Sequence, residues 1–223
     1  MFDTWIFDLD NTLYPPEARL FDQIERRMAA FIARELSVTE AAAHDLRARY
    51  WAEHGTTLAG LMSDHDVDPQ DFLADVHDID FTSLSPHPGL RDAIAALPGR
   101  KIVFTNGDVP YAQNVLAAIG LSESFDALYG IEHAQYVPKP AAEAYASVFG
   151  LDGLAPERSV MFEDSQRNLR VPHALGMTTV YVGPGDAEGA HVHHTTADLV
   201  GFLSQIGLAA LPQRGGGIDW GHA

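Results

Sequence analysis

The sequence predicts an α/β protein in which a parallel sheet is covered by helices on both faces and interrupted once by an all-helical insert. Two observations carry this expectation. Short apolar runs rich in β-branched and aromatic residues alternate with helical patterns along most of the chain, the pattern of a parallel sheet buried on both sides. Across residues 15–85 the alternation stops and every periodic stretch is helical.

The first run, residues 4–9, begins almost at the first residue and reads as a buried strand. The insert follows. Leu20, Ile24, Met28, Phe31 and Ile32 mark one amphipathic face, and Leu46 and Tyr50 belong to a second. Thr57 is placed to cap a helix carrying Leu58, Leu61 and Met62. Asp68-Pro69 starts another, with Phe72, Leu73 and Val76 on its apolar face. Tyr14-Pro15-Pro16 and Ser85-Pro86-His87-Pro88 bound this insert, which reads as a lid.

Beyond it come a helix with Leu90, Ala93, Ile94 and Leu97, a strand at 101–105, and a helix with Val115, Leu116 and Ile119. A strand at 127–130, a helix over 141–149, a strand at 159–163, a helix through 168–175 and a strand at 178–182 complete the series. The expected division is residues 1–14 and 86–211 for the α/β core and 15–85 for the helical insert. Residues 212–223, with Gly215-Gly216-Gly217, read as a flexible tail.

Composition sets bounds on function. Hydrophobic residues make up 46% of the 223 and charged residues 20%, enough apolar material for a sizeable core. There are no cysteines, which excludes disulfides, thiolate metal sites and cysteine nucleophiles. No basic segment precedes a long apolar stretch at the start, and no apolar run approaches spanning length, so a soluble cytoplasmic protein is expected. With 14 Lys+Arg against 31 Asp+Glu the net charge is -17, a surface that repels nucleic acid polymers and anionic membranes. It repels a phosphorylated metabolite at long range too, so any phosphate site must be made locally by a cation, a positioned lysine or a helix N-terminus.

Phe7-Asp8-Leu9-Asp10-Asn11-Thr12-Leu13 is the most informative segment. Two carboxylates two residues apart sit where an apolar strand ends, and in extended geometry both point to the same side. Buried like charges are costly, so the pair calls for a cation or a proton. Taken alone, an acidic surface turn is the better explanation. Three further signals stand in order at predicted strand ends. Phe104-Thr105-Asn106-Gly107 supplies a hydroxyl, an amide and a flexible glycine suited to phosphate oxygens. Lys139 lies between Pro138 and Pro140, which restrict the backbone and fix where its ammonium points. Phe162-Glu163-Asp164-Ser165 offers adjacent hard-oxygen ligands of the kind Mg²⁺ takes. Each has a plain alternative: an ordinary strand end, a solvated lysine, or a helix cap by Asp164 or Ser165. Together they supply a nucleophile, a proton donor, phosphate-binding groups and a metal site.

The set Asp8-x-Asp10-x-Thr12, Thr105-Asn106, Lys139 and Glu163-Asp164 resembles the four motifs of the haloacid dehalogenase superfamily, over the chain up to about Leu211. The insert resembles that superfamily's C1-type cap, and the implied core is a Rossmann-like parallel sheet. More narrowly, residues 8–15, the Phe104-Thr105-Asn106-Gly107 element and Phe162-Glu163-Asp164-Ser165 with Asn168-Leu169 resemble the pyrimidine 5′-nucleotidase group. The resemblance implies that Asp8 attacks phosphorus to give an aspartyl-phosphate, while Asp10 protonates the leaving alkoxide and then activates water. It implies Mg²⁺ held by the Asp8 carboxylate, the Asp10 backbone carbonyl and Asp164, with Glu163 acting through water or supporting that shell. Thr105 and Lys139 would hold the phosphoryl group with Asn106 nearby. The implied substrate is a small phosphorylated metabolite, with the nucleoside monophosphates UMP and CMP leading, then phosphoglycolate and sugar phosphates.

The insert is expected to choose the leaving group. Gly55-Thr56-Thr57 is a polar break able to touch a nucleoside, or simply a hinge, and Tyr14 is able to stack on a base, or simply to pack in the core. Histidine is abundant, 11 in all, but His191, His193 and His194 lie far along the chain from the motifs and read as a solvated loop or strand edge. Three rivals share the fold: a dehalogenase, which needs neither Asp10 nor a metal; a phosphomutase, which keeps both aspartates; and a catalytically silent binding module. Oligomeric state, monomer or homodimer, is not readable from the sequence.

Overall fold

The computed structural model describes residues 2–208. Among these the chain runs β1 (Thr4–Phe7), α1 (Leu20–Glu35), α2 (Glu40–His54), α3 (Thr57–His65), α4 (Pro69–Val76), α5 (Pro88–Ala95), β2 (Arg100–Phe104), α6 (Val109–Ala118) and β3 (Ala127–Tyr129). It continues with α7 (Ala142–Asp152), β4 (Ser159–Glu163), α8 (Arg170–Ala174), β5 (Thr178–Val182), β6 (His194–Thr196) and α9 (Leu199–Leu208). The strands form one sheet in the order β3-β2-β1-β4-β5-β6, and every pairing is parallel. Residues 212–223, expected to form a flexible tail, lie outside the described residues.

Strand alternation sorts the core into two layers, because successive side chains leave a strand on opposite faces. Trp5, Phe7, Val103, Val160 and Phe162 point to one face, where they meet Leu90, Ile94, Val115, Phe202 and Leu203 of α5, α6 and α9. Ile6, Ile102, Phe104 and Met161 point to the other, against Tyr145, Val148 and Phe149 of α7. Phe7 stacks on Phe162 at 4.6 Å between centroids and Trp5 lies near the same ring. The near-continuous apolar character of these strands follows from that double cover.

The four helices α1 to α4 occupy the region that the sequence marked as an insert. Their apolar faces join the layer on the Trp5 side through Ile24, Phe31, Tyr50, Leu61 and Phe72. Gly60 lets α3 lie directly on α2: a Cβ there would fall 2.4 Å from the Tyr50 ring. The α3 cap is Thr56 and not Thr57, since Thr56 Oγ1 accepts from Ala59 N at 3.1 Å while Thr57 is the buried first residue of the helix. No helix among the described residues is long and apolar enough to cross a membrane.

Three further differences from the sequence expectation have local causes. β1 ends at Phe7 rather than residue 9, because Thr12 N and Leu13 N bond back to the Leu9 carbonyl and turn the chain. The helix expected over 168–175 is a 3-10 turn, Gln166–Leu169, followed by the short α8 containing Pro172. β6 and α9 were not foreseen: β6 is three residues long, too short for a periodic signal, and His194 opens it at the sheet edge.

Candidate active site

Sheet order places the site. β2, β1 and β4 are neighbours, and in register Phe7 faces Val103 on one side and Phe162 on the other. The residues that follow these strands therefore meet at one end: Asp8 after β1, Thr105 after β2, and Glu163 with Asp164 at the end of β4. This is the carboxyl edge where parallel sheets bind ligands. Asp8 N still donates to the Phe162 carbonyl at 2.9 Å, which fixes the first carboxylate in the sheet frame.

Asp8 is 6% exposed and both its oxygens are engaged. Lys139 Nζ donates to Oδ1 at 2.7 Å and Thr12 Oγ1 to Oδ2 at 3.0 Å. Lys139 arrives from the loop before α7, through a cis Lys139–Pro140 peptide. Its side chain is 1% exposed, and Nζ also donates to the Phe104 carbonyl at 2.9 Å and approaches Glu163 Oε2 at 3.5 Å. Burial alone would lower the ammonium pKa, but the charges of Asp8 and Glu163 outweigh it and raise it, so Lys139 is held as a cation. Asn106 does not stand free for a ligand as its motif suggested. Its amide clamps the Lys139 backbone, with Nδ2 donating to Lys139 O at 3.2 Å and Lys139 N donating to Oδ1 at 2.8 Å.

Asp10 lies in the turn, not the strand, and Asn11 beside it adopts a left-handed φ of 60°. Non-glycine residues take that region rarely, asparagine more readily than most. The turn aims the Asp10 carboxyl toward Tyr111 of α6. Tyr14 OH and Tyr111 OH each donate to its Oδ1 at 2.6 Å, and Thr105 Oγ1 stands 3.5 Å from its Oδ2. Burial, then the negative charge of Asp8, raise the Asp10 pKa, and the two tyrosine hydrogen bonds only partly oppose them. Burial and the Asp10 charge raise both tyrosines as well, so they remain hydroxyl donors. Tyr14 is thus no stacking surface for a base: it is 4% exposed, with its ring in the core and its hydroxyl on Asp10.

Carboxylate oxygens of Asp8, Glu163 and Asp164 lie within 4.8 Å of one another. Glu163 is fully enclosed and accepts from Asn168 Nδ2 as well as facing Lys139. Burial and the charge of Asp8 push its pKa well up, and the same causes push Asp164 up to about 7. Three hard oxygen donors carrying an excess of negative charge fit a small divalent cation such as Mg²⁺. The Asp10 carboxyl lies outside this cluster, so a metal role for Asp10 is restricted to its backbone carbonyl. Asn11 Nδ2 donates to Asp164 Oδ2 at 3.4 Å and ties the first turn to the last motif.

Above these groups lies a cavity of about 470 Å³ whose far wall is formed by the insert, including Met28, Arg47, Trp51, Thr56 and Phe72. Thr57 also borders it, while Tyr14 does not. Sequence reasoning missed Tyr111, His77 and Asp108. Tyr111 is 101 residues from Asp10, and nothing local in Val109-Pro110-Tyr111 announces it. The one available signal was the helix start at Asp108, which puts the first turn of α6 beside the β2 end. Among the described residues the late histidines gather no ligand set: His173 and His193 rings are 5.0 Å apart, and Thr179 engages His193 Nδ1.

A model of the haloacid dehalogenase-like hydrolase family matches residues 2–176. The chain belongs to that family. It is 24% identical over 193 residues to phosphate metabolism protein 8 of Saccharomyces cerevisiae, covering 78% of this chain and 59% of the relative. It is 31% identical over 120 residues to the (S)-2-haloacid dehalogenase of Xanthobacter autotrophicus, covering 53% of this chain and 46% of that one. It is also 31% identical over 102 residues to the fructose-1-phosphate phosphatase YqaB of Escherichia coli, covering 45% and 53%. The chain thus spans about half the length of the curated relatives it matches. Among solved structures, CbbY from Rhodobacter sphaeroides in complex with phosphate superposes with a TM-score of 0.63 at 20% identity, covering 93% of this chain and 97% of that one. At such identity the likeness shows the fold, which agrees with the parallel core expected from the sequence.

Proposed function

We propose that this hydrolase is a magnesium-dependent phosphatase that cleaves small phosphate monoesters through an aspartyl-phosphate on Asp8. The observation that carries the reading is the Asp10 carboxyl, enclosed beside Asp8 with its pKa raised and its Oδ2 turned to Thr105. A dehalogenase has no use for a second acid there; a phosphatase needs one to protonate the leaving alkoxide.

Asp8 attacks phosphorus, forming an O–P bond as the ester P–O bond breaks, and Asp10 delivers its proton to the departing alkoxide. In the second half Asp10 takes a proton from water as that water attacks phosphorus and the Asp8 carboxylate is released. Lys139 and Thr105 hold the phosphoryl oxygens, and Asn106 acts by fixing Lys139. Asp8, Glu163 and Asp164 would hold Mg²⁺, with the Asp10 backbone carbonyl; bound there, it supplies charge neutralisation. Acid–base transfer alone contributes ~10²–10⁴-fold, whereas monoester hydrolysis calls for accelerations up to ~10²¹. Most of the effect therefore comes from preorganised charge in an enclosed site.

The insert serves as the cap that selects the leaving group. A cavity of about 470 Å³ walled by Met28, Trp51 and Phe72 suits a flat, weakly polar group, and a nucleoside monophosphate is the substrate class proposed, with UMP and CMP first. Phosphate release across nucleoside monophosphates and sugar phosphates, with and without Mg²⁺, tests this. Metal-dependent release favouring UMP or CMP is expected; dominance of phosphoglycolate or a sugar phosphate overturns the substrate class. The 31% identity to a dehalogenase supports a second reading, which metal-free halide release from a 2-haloacid would establish.

A further inference from the structure

Asp10 sits in a cradle made by two tyrosines that lie 97 residues apart in the chain. Tyr14 follows the first turn and Tyr111 stands in the first turn of α6, and both hydroxyls end on the same oxygen, Oδ1. The hydroxyls are 3.3 Å apart. Each has a single hydrogen, so with both donated to Asp10 neither is left for the other. Oδ1 thereby has its two acceptor directions filled. Oδ2 is the oxygen left to exchange a proton; it stands 3.5 Å from Thr105 Oγ1, and Asp10 borders the cavity.

The cradle is also tied to the insert. His77, at the end of α4, stacks on the Tyr111 ring with centroids 4.3 Å apart and planes 19° from parallel. Its Nδ1 pairs with Asp108 Oδ1 at 2.9 Å, and both side chains are nearly enclosed. The same Asp108 oxygen accepts from Tyr111 N at 3.1 Å, capping α6. One carboxylate therefore holds the insert's histidine and the helix turn carrying Tyr111.

We infer that Tyr14 and Tyr111 are positioning residues that aim the Asp10 proton from Oδ2 at the leaving group, and that His77 with Asp108 sets Tyr111 from the insert. This rests on the phosphatase reading and adds residues to it. Neither tyrosine reaches the transferring phosphoryl group; both act through Asp10.

Leaving-group dependence distinguishes such a role from a structural one. An alkyl phosphate leaves as a strong base and needs a proton, whereas p-nitrophenyl phosphate leaves as a weak base and needs little help. Tyr14→Phe and Tyr111→Phe retain the rings and remove one hydrogen bond each. kcat/KM, which reports only the steps up to release of the alcohol, is expected to fall about tenfold more for the best alkyl monoester from the phosphate-release screen than for p-nitrophenyl phosphate in each variant, and further in the double variant. His77→Ala is expected to lower the same ratio in the same direction, with KM for p-nitrophenyl phosphate changed by less than about threefold. Thermal unfolding of each variant confirms that it is folded. An equal loss on both esters, or no loss on either, overturns the cradle while leaving the phosphatase reading intact. A parent protein that releases phosphate from neither ester overturns the phosphatase reading itself.

Discussion

On the floor of the cavity every charged side chain is held by another group. Lys139 has Asp8, Glu163 and a carbonyl, Asp10 has two tyrosines, and Glu163 has Asn168. The roof is different. Trp51 is 55% exposed, Phe21 is 43% exposed, and Arg47 gives one nitrogen to Glu25 at 2.8 Å while its buried Nε has no hydrogen-bond partner among the described residues. The floor is preorganised for one distribution of charge, which on the proposed reading would serve any phosphate ester placed there. The roof is apolar and incompletely paired, so it can adapt to, and choose among, leaving groups.

The largest expected effect breaks the floor. Asp8→Asn should lower phosphate release by about 10⁴-fold or more, since no other group near phosphorus replaces the nucleophile. Lys139→Met should also abolish release and, by leaving Asp8 and Glu163 buried without their cation, cost about 3–5 kcal/mol in urea unfolding. Full retention of stability there would mean that the carboxylates do not depend on Lys139.

A smaller effect concerns the acidic cluster of Asp8, Glu163 and Asp164. Asp164 is raised to about 7 by burial and by Asp8. Its folded pKa lies above the ordinary 3.8. Without metal, the folded state therefore takes up a proton more readily than the unfolded chain, and this group's ionisation opposes folding most fully above about pH 7. Its contribution favours folding as pH falls through that value. Mg²⁺ bound by Asp164, as proposed, would compete with that proton, so its affinity should weaken as pH drops through about 7, by up to about tenfold per pH unit. Titrations of Mg²⁺ at several pH values, with Asp164→Asn alongside, measure this; an unchanged affinity across the range speaks against Asp164 as a ligand.

On the roof, Trp51→Ala and Arg47→Ala should raise KM for nucleoside monophosphates about fivefold, near 1 kcal/mol each, with kcat much less affected. A fall in kcat on every ester instead would erase the division between floor and roof. The smallest effect lies away from both. Burial lowers His194 below 6.5, so its neutral form supports the fold above that value and the contribution is lost as pH falls. His194→Asn should flatten the slope of Tm between about pH 7 and 5 and leave phosphate release as it was.

Much of the floor was legible because its chemistry is local. Asp8, Thr105 and Glu163 each follow a strong apolar strand, and parallel topology brings such ends together without further instruction. Lys139 was legible through its flanking prolines. What escaped was decided by packing across long separations. Tyr14 looked able to stack on a ligand because it immediately follows the first motif; its hydroxyl goes to Asp10 only because the turn at Asn11 brings them together. Tyr111, His77 and Asp108 come from two helices that meet only in the folded chain. Thr56 and Thr57 were equally good caps by composition, and backbone geometry chose the first. β6, with α9 after it, follows a Gly-rich loop over 183–193 that carries no clear period.

The covalent role of Asp8 is tested most directly with Asp10→Asn and p-nitrophenyl phosphate in the presence of Mg²⁺. That ester needs little acid assistance to leave, whereas hydrolysis of the intermediate needs the base that the variant lacks. The expected result is a burst of about one nitrophenol per protein and, after acid quenching, a phosphoryl group found by mass spectrometry on the peptide carrying Asp8. A burst with no protein-bound phosphate, or phosphate on a peptide that lacks Asp8, would contradict it.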